Sequence, residues 1–330
     1  MSDAAPGSLL CPTPLADARK QPAALLWQTC PDDAQALAAW LSSEDFRSLV
    51  ERQPQVWAAA AVDAAGKDCR ELITASGGIV AEAGRIAAAE LKFPLVVPDA
   101  AQWVLGEWYC QPPRSVTAAQ ESSRAHILRL VQLLGADAET NELEHLFRQD
   151  AKLSYQLLRL VNSAAFAPKR PITSFTQAIL LLGRQQLRRW LNLLLFAARA
   201  DDDRSPMLMA RVVLRARALE LLAQETGLDR FDQDQAFMVG MFSLLPVLFG
   251  RPREEILAPL NLSADLDDAL RRSEGRLGPL LQTWEACEMG DSVALANNLR
   301  QLSLQSSQFN RIAVGASRWG VDVMEAPAEP

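Results

Sequence analysis

The chain has 330 residues, enough for two domains of ordinary size, and is 49% hydrophobic and 22% charged, a balance that excludes intrinsic disorder. A net charge of −7 gives no bulk attraction to nucleic acid or to an anionic membrane surface, so nucleic acid is not an expected partner. The five cysteines (Cys11, Cys30, Cys69, Cys110 and Cys287) are odd in number and widely spaced, with no Cys-x-x-Cys, which argues against a disulfide framework or a zinc site.

Along the chain, "AALLWQT" (23–29) predicts a strand and "DDAQALAAWLSSEDFRSLVER" (32–52) a helix. "VWAAAAVDA" (56–64) predicts an Ala-rich strand. "LKFPLVV" (91–97), "PDAAQWVL" (98–105) and "EWYCQPP" (107–113) predict strand, helix and strand. Short strands alternating with helices indicate an α/β segment over 1–113. "ASGGIV" (75–80) reads as a turn, with a phosphate-binding loop as the alternative. The polar, Pro- and Ser-containing "QPPRSVTAAQESSR" (111–124) marks a domain boundary, and 114–330 reads as all-α.

Helix punctuation dominates that second part. Ser123 caps a helix that ends at Gly135, Asn141 and Glu144 form a capping box, and Asp150 caps the stretch 151–162. Asn162 and Ser163 then stop that Leu-rich helix; binding of a ligand by the pair is the alternative. Ser174 opens a helix that ends at Gly183, and Ser205-Pro206 opens one that ends near Gly227. Pro252, Ser263, Pro279 and Asp291 open further helices. The longest uncharged apolar run, Phe237 to Gly250, is too short to span a bilayer and predicts a buried core helix. With no basic start or apolar run of a signal peptide in MSDAAPGSLL, the expected compartment is the cytoplasm.

A search for catalytic patterns returns little. His126 and His145 are the only histidines, neither is followed by Asp, and there is no His-Glu-x-x-His. The G-x-S-x-G, Walker A and G-x-G-x-x-G patterns are absent, and a scattered Ser-His-Asp set would leave no local trace. No catalytic, cofactor-binding or metal-ligating residue is assigned, and no cofactor is expected. Charge is uneven, however. Residues 114–200 hold 12 Lys+Arg against 6 Asp+Glu, whereas 1–113 hold 8 against 14 and 201–330 hold 13 against 20. Lys169, Arg170, Arg184, Arg188 and Arg189, beside Trp190, form a candidate interaction patch for an acidic protein partner, with a solvated helix face as the plainer reading.

The runs "ELEHLFRQDAKLSYQLLRLVNSAAF" (142–166) and "ITSFTQAILLLGRQQLRRWLNLLLF" (172–196) resemble the HDOD (HD-related output) domain of bacterial signalling proteins. Later runs, "AFMVGMFSLLPVLFG" (236–250) and "EGRLGPLLQTWEACEMGD" (274–291), are similar to the C-terminal half of the EAL-HDOD subgroup. The resemblance implies that 1–113 is a truncated, degenerate form of the EAL cyclic di-GMP phosphodiesterase barrel, recognisable at "CPTPLADARKQPAALLW" (11–27) and "WVLGEWYCQPP" (103–113). The EAL signature and its paired-Asp loop are missing, and roughly 110 residues is less than half of a closed barrel. The implied architecture is α+β overall, an EAL-like α/β segment before a larger all-α HDOD domain. The implied role is a non-catalytic, protein-binding one in signal transduction, linked to cyclic di-GMP. An HD-type phosphohydrolase with unconventional ligands and a cyclic di-GMP receptor without turnover are the alternatives.

Overall fold

The computed structural model describes residues 9–28, 34–89, 97–111, 203–260 and 262–324, with isolated positions between 129 and 196. It is mixed α/β in its N-terminal part and helical from residue 203 onward.

Six short strands, β1 (Pro12–Ala16), β2 (Pro22–Trp27), β3 (Gln55–Ala58), β4 (Ile79–Ala81), β5 (Ile86–Ala88) and β6 (Trp103–Leu105), form one sheet in the order β4-β3-β2-β1-β6-β5. β2, β3 and β4 run parallel, as do β5 and β6, and β1 is antiparallel to both of its neighbours. The two outermost strands are consecutive in the chain. Ala81 and Ile86 are five residues apart, a reach of roughly 17 Å, whereas the edges of a flat six-strand sheet lie about 24 Å apart. The sheet is therefore curled. Alternation sorts the side chains accordingly. Leu15, Ala24, Leu26, Val56, Ala81 and Trp103 fill the concave side as a small core. Ala16, Leu25, Trp27, Trp57 and Val104 face outward into the main core.

Helices α1 (Ala34–Leu41) and α2 (Glu44–Arg52) cover part of the outer face. The helix predicted over 32–52 is thus two helices. Ser43 is extended (φ −66°, ψ 150°), and its hydroxyl accepts from the Phe46 N–H at 3.2 Å, so it begins a new helix. Trp27, Trp40, Phe46 and Trp57 pack together, with Trp27 and Trp40 rings 4.9 Å apart and edge-on. Trp27 Nε1 donates to Gln55 Oε1 at 3.0 Å, which satisfies the buried indole.

Three further expectations change. The strand predicted over 56–64 ends at Ala58, and α3 (Ala59–Ala65) follows without a loop, because Ala is the strongest helix former. α4 (Lys67–Ala75) comes next. The helix predicted over 98–105 is instead a turn and β6, since pairing with β5 and β1 buries Trp103 and Val104 on opposite faces. The strand predicted over 107–113 is a 3-10 turn, Trp108–Cys110. It buries Trp108 and Tyr109 side by side, which strand alternation does not allow. "ASGGIV" forms a turn leading into β4. The strand predicted over 91–97 lies almost wholly outside the described residues.

From residue 203 the chain is a stack of helices: α5 (Ser205–Glu225), α6 (Arg230–Phe242), α7 (Leu245–Phe249), α8 (Arg253–Leu257), α9 (Ala264–Arg272), α10 (Gly278–Glu288), α11 (Ser292–Gln301) and α12 (Ser306–Met324). Pro252, Ser263, Pro279 and Asp291 stand at or beside helix starts as predicted, and Asp291 accepts from the Ala294 N–H at 2.9 Å. The core run 237–250 is broken at Ser243-Leu244 into α6 and α7. α6 crosses α5 at Gly240, where a Cβ would come within 2.6 Å of Ala216 Cα. Among the described residues no helix is long and apolar enough to cross a membrane.

One core joins the two parts. Leu10, Trp27, Trp57 and Trp108 belong to the same cluster as Leu214, Trp284 and Val323. The Leu10 N–H donates to Asn310 Oδ1 at 2.9 Å, and ion pairs Arg52–Asp322, Arg318–Asp45 and Lys20–Asp203 cross the same seam. The boundary predicted at residue 113 lies beside residues outside the described ones.

Candidate functional site

A cleft of about 380 Å³ opens where the carboxyl ends of β2 and β6 meet α5 and α10. Parallel α/β sheets present ligand sites at this end of their strands. Pro12, Pro14, Leu105, Leu214, Trp284 and Met289 give it apolar walls, and Thr13, Gln28, Glu107, Tyr109, Arg211 and Glu288 supply polar groups. Gln28 Nε2 donates to Thr13 Oγ1, tying the end of β2 to β1.

The floor is a buried ionic cluster. Arg211 and Arg215 are four residues apart and share one face of α5. Both reach Glu288 at the end of α10. Arg211 Nε and Nη2 donate to Glu288 Oε2 at 2.9 and 2.6 Å, and Arg215 Nε donates to Oε1 at 3.0 Å, with a further bond from Arg215 Nη2 to Oε2. Arg215 Nη1 also donates to Ser243 Oγ at 2.7 Å, and that hydroxyl donates to the Gly240 carbonyl at 2.8 Å. At the mouth, Arg211 Nη1 donates to Glu107 Oε1 at 2.6 Å and to Cys110 Sγ at 3.1 Å.

Burial by itself would raise the Glu288 pKa, but the charges and hydrogen bonds of Arg215 and Arg211 outweigh it and hold the carboxyl at about 2. Burial works against the Arg211 charge as well, and Glu288 more than restores it, so its pKa is raised. Tyr109 and Cys110 are raised, first by burial, with Arg211 acting in the opposite sense. Glu288 and Arg211 are thus charged throughout the physiological range, with their hydrogen-bonding groups committed to partners within the cluster.

A second ionic cluster lies deeper in the helices. Arg189 Nη2 is 2.6 Å from Glu220 Oε2, its Nη1 is 3.3 Å from Asp234 Oδ1, and its guanidinium sits 3.9 Å from the Phe237 ring centroid. Arg217 Nη1 donates to the same Glu220 oxygen at 2.5 Å. Arg189 therefore does not belong to a solvent-facing patch as predicted: two carboxylates and an aromatic ring draw it into the core, where it is 9% exposed. Gly183 has φ +74°. Lys169, Arg170, Arg184, Arg188, Trp190, Asp150, Asn162, Ser163 and Ser174 lie outside the described residues.

Cys11, Cys110 and Cys287 are free thiols. Among the described residues no three His, Cys, Asp or Glu side chains are grouped to hold a metal ion. No sequence motif announces the cluster of Arg211, Arg215 and Glu288. Its trace there is the pair of arginines four apart inside the otherwise apolar run "PMLMARVVLRA" (206–216).

The helices α5, α6 and α7, together with the cluster around Arg189, fall within a segment that similarity identifies. Residues 123–249 match the HDOD domain. Among known proteins, this chain is 33% identical over 181 residues to the cyclic di-GMP phosphodiesterase CdgJ of Vibrio cholerae, covering 55% of this chain and 41% of that protein. It is 26% identical over 215 residues to the uncharacterized protein YuxH of Bacillus subtilis, covering 61% of this chain and 52% of that one. The chain spans about half the length of these two relatives. A crystal structure from Shewanella amazonensis overlaps 62% of the chain and 93% of its own at a TM-score of 0.44 and 16% identity, too loose a likeness to assign a shared fold.

Proposed function

We propose that this chain is a bacterial signal-transduction protein that acts by binding other proteins rather than by turnover, in a circuit that cyclic di-GMP controls. In this reading the HDOD part is the interaction module and the curled sheet is a reduced, inactive form of the EAL barrel. The HDOD match and the relationship to CdgJ support the signalling class. The curled sheet with five strands in one direction supports the barrel origin.

The observation that carries the binding role is the commitment of the buried carboxylates among the described residues of the helical part. Glu220 and Asp234 are held by Arg189, Glu288 by Arg211 and Arg215, and Asp232 by both arms of Arg276 at 2.5 and 2.9 Å. Metal-assisted hydrolysis needs carboxylate or imidazole ligands that keep an open coordination position. Here the carboxylates are bound to arginines, which favours a structural use.

The basic segment around Arg184 and Arg188 is the proposed surface for an acidic partner. The test is affinity for a partner recovered by pull-down with the tagged chain, compared between wild type and the Arg184→Glu, Arg188→Glu double variant at low and physiological salt. Weaker binding in the variant and at higher salt is expected, because screening acts strongly on exposed charge. Equal affinities under all conditions would reject the surface. The name of the Vibrio relative favours a second reading, phosphodiesterase activity through unconventional ligands, or retention of the nucleotide without turnover.

A further inference from the structure

Arg211 divides its guanidinium between two carboxylates in very different settings. Glu288 is buried and shared with Arg215. Glu107 stands on the loop after β6 with its side chain 56% exposed, and reaches Arg211 Nη1 from the mouth of the cleft. The buried group of two arginines and one glutamate keeps one positive charge. Among the described residues the outer carboxylates offset it: Glu107 at 2.6 Å from Arg211 and Glu285 at 3.5 Å from Arg215.

We propose that the cleft binds a small organic acid with an aromatic or apolar body, by class an aryl phosphate or carboxylate, whose acid group replaces Glu107 on Arg211. Glu107 is the built-in occupant of that position. Arg211 offers the acid group Nη1, the arm that Glu288 does not hold, and a charge-assisted N–H donor serves carboxylate and phosphate oxygens alike. Leu105, Leu214, Trp284 and Met289 offer the apolar surface for the body, and Gln28 and Tyr109 add polar groups beside it. The volume of about 380 Å³ matches a small-molecule site. Gly106, at φ +145°, directly precedes Glu107 and gives the loop a backbone conformation that side chains disfavour, so Glu107 is carried at a turn rather than on a rigid strand. This site stands whether or not the chain signals through cyclic di-GMP.

The test uses the full chain and four probes at constant ionic strength: phenyl phosphate, phenylacetate, orthophosphate and phenol, with binding followed by calorimetry. Saturable binding of phenyl phosphate or phenylacetate is expected, and the stronger of the two identifies the acid group. Phenol, which lacks the acid, should not bind, and orthophosphate, which lacks the body, should bind more weakly. The decisive variant is Glu107→Gln, which leaves Arg211 on Glu288 and removes the internal competitor. It should bind the preferred acid about two- to fivefold more tightly, the worth of one exposed ion pair. Arg211→Gln should lose the binding. The proposal is overturned by absence of saturable binding of either acid to wild type and Glu107→Gln, by equal affinity of those two proteins, or by retention of affinity in a folded Arg211→Gln variant.

Discussion

Replacing Glu288 by Gln removes the anion that two buried arginines share and leaves them facing a neutral amide. The Glu288 pKa of about 2 lies some 2.5 units below the ordinary carboxylate value of 4.5. At roughly 1.4 kcal/mol per pH unit this is a contribution of about 3 kcal/mol. It agrees with the roughly 3–5 kcal/mol cost of breaking a buried ion pair from one side. The sign of the pH dependence follows from the direction of the shift. A carboxyl depressed in the folded state contributes fully above its unfolded pKa and loses that contribution as pH falls toward 2. Roughly 2 kcal/mol of it should be gone by pH 3. Urea unfolding of wild type and Glu288→Gln at pH 7, 5 and 3 measures both quantities. A gap of about 3–5 kcal/mol at pH 7 that narrows by about 2 kcal/mol at pH 3 is expected. A gap under about 1 kcal/mol at pH 7, or one that does not change with pH, would refute the reasoning.

Arg189→Met should destabilise the fold by about 3–5 kcal/mol by removing the cation that Glu220 and Asp234 share, measured by the same unfolding assay; a change near zero would return Arg189 to the surface. Gly240→Ala should cost about 1–3 kcal/mol, because the added methyl meets the α5 backbone at Ala216 and forces the two helices apart. A neutral result by thermal melting would deny the close crossing. A chain starting near Ser115 should aggregate or bind a hydrophobic dye, since α5, α10 and α12 lose the sheet that covers them. Cooperative unfolding of that fragment as a soluble monomer would contradict the shared core.

The helical part from Ser205 on was the most legible, because its boundaries are written in caps and prolines. Ser205-Pro206, Ser263, Pro279 and Asp291 all stand at helix starts. The N-terminal sheet was harder, because its strands are three to six residues long and their pattern is set by partners. Trp103 is a strand residue only because β5 and β1 flank it, and Ala58 and Ala59 give no local sign of where strand gives way to helix. The candidate cleft was not legible at all. Arg211 and Arg215 could be seen as charges on an apolar face, but their partners Glu107 and Glu288 lie 104 and 73–77 residues away in the chain, and only the packing of α5 between the sheet and α10 brings them together. The same long-range pairing explains Arg189. Sequence places it beside Arg188 in a basic run, while Glu220 and Asp234 take it inside.

The proposed division between binding and turnover meets its most direct test in a hydrolysis assay of the purified full chain with cyclic di-GMP and added Mg²⁺ or Mn²⁺, followed by separation of the linear dinucleotide product. The account predicts no product above the protein-free control over hours of incubation. Product that accumulates in proportion to protein concentration, and that disappears when a single carboxylate of the chain is replaced by its amide, would contradict it.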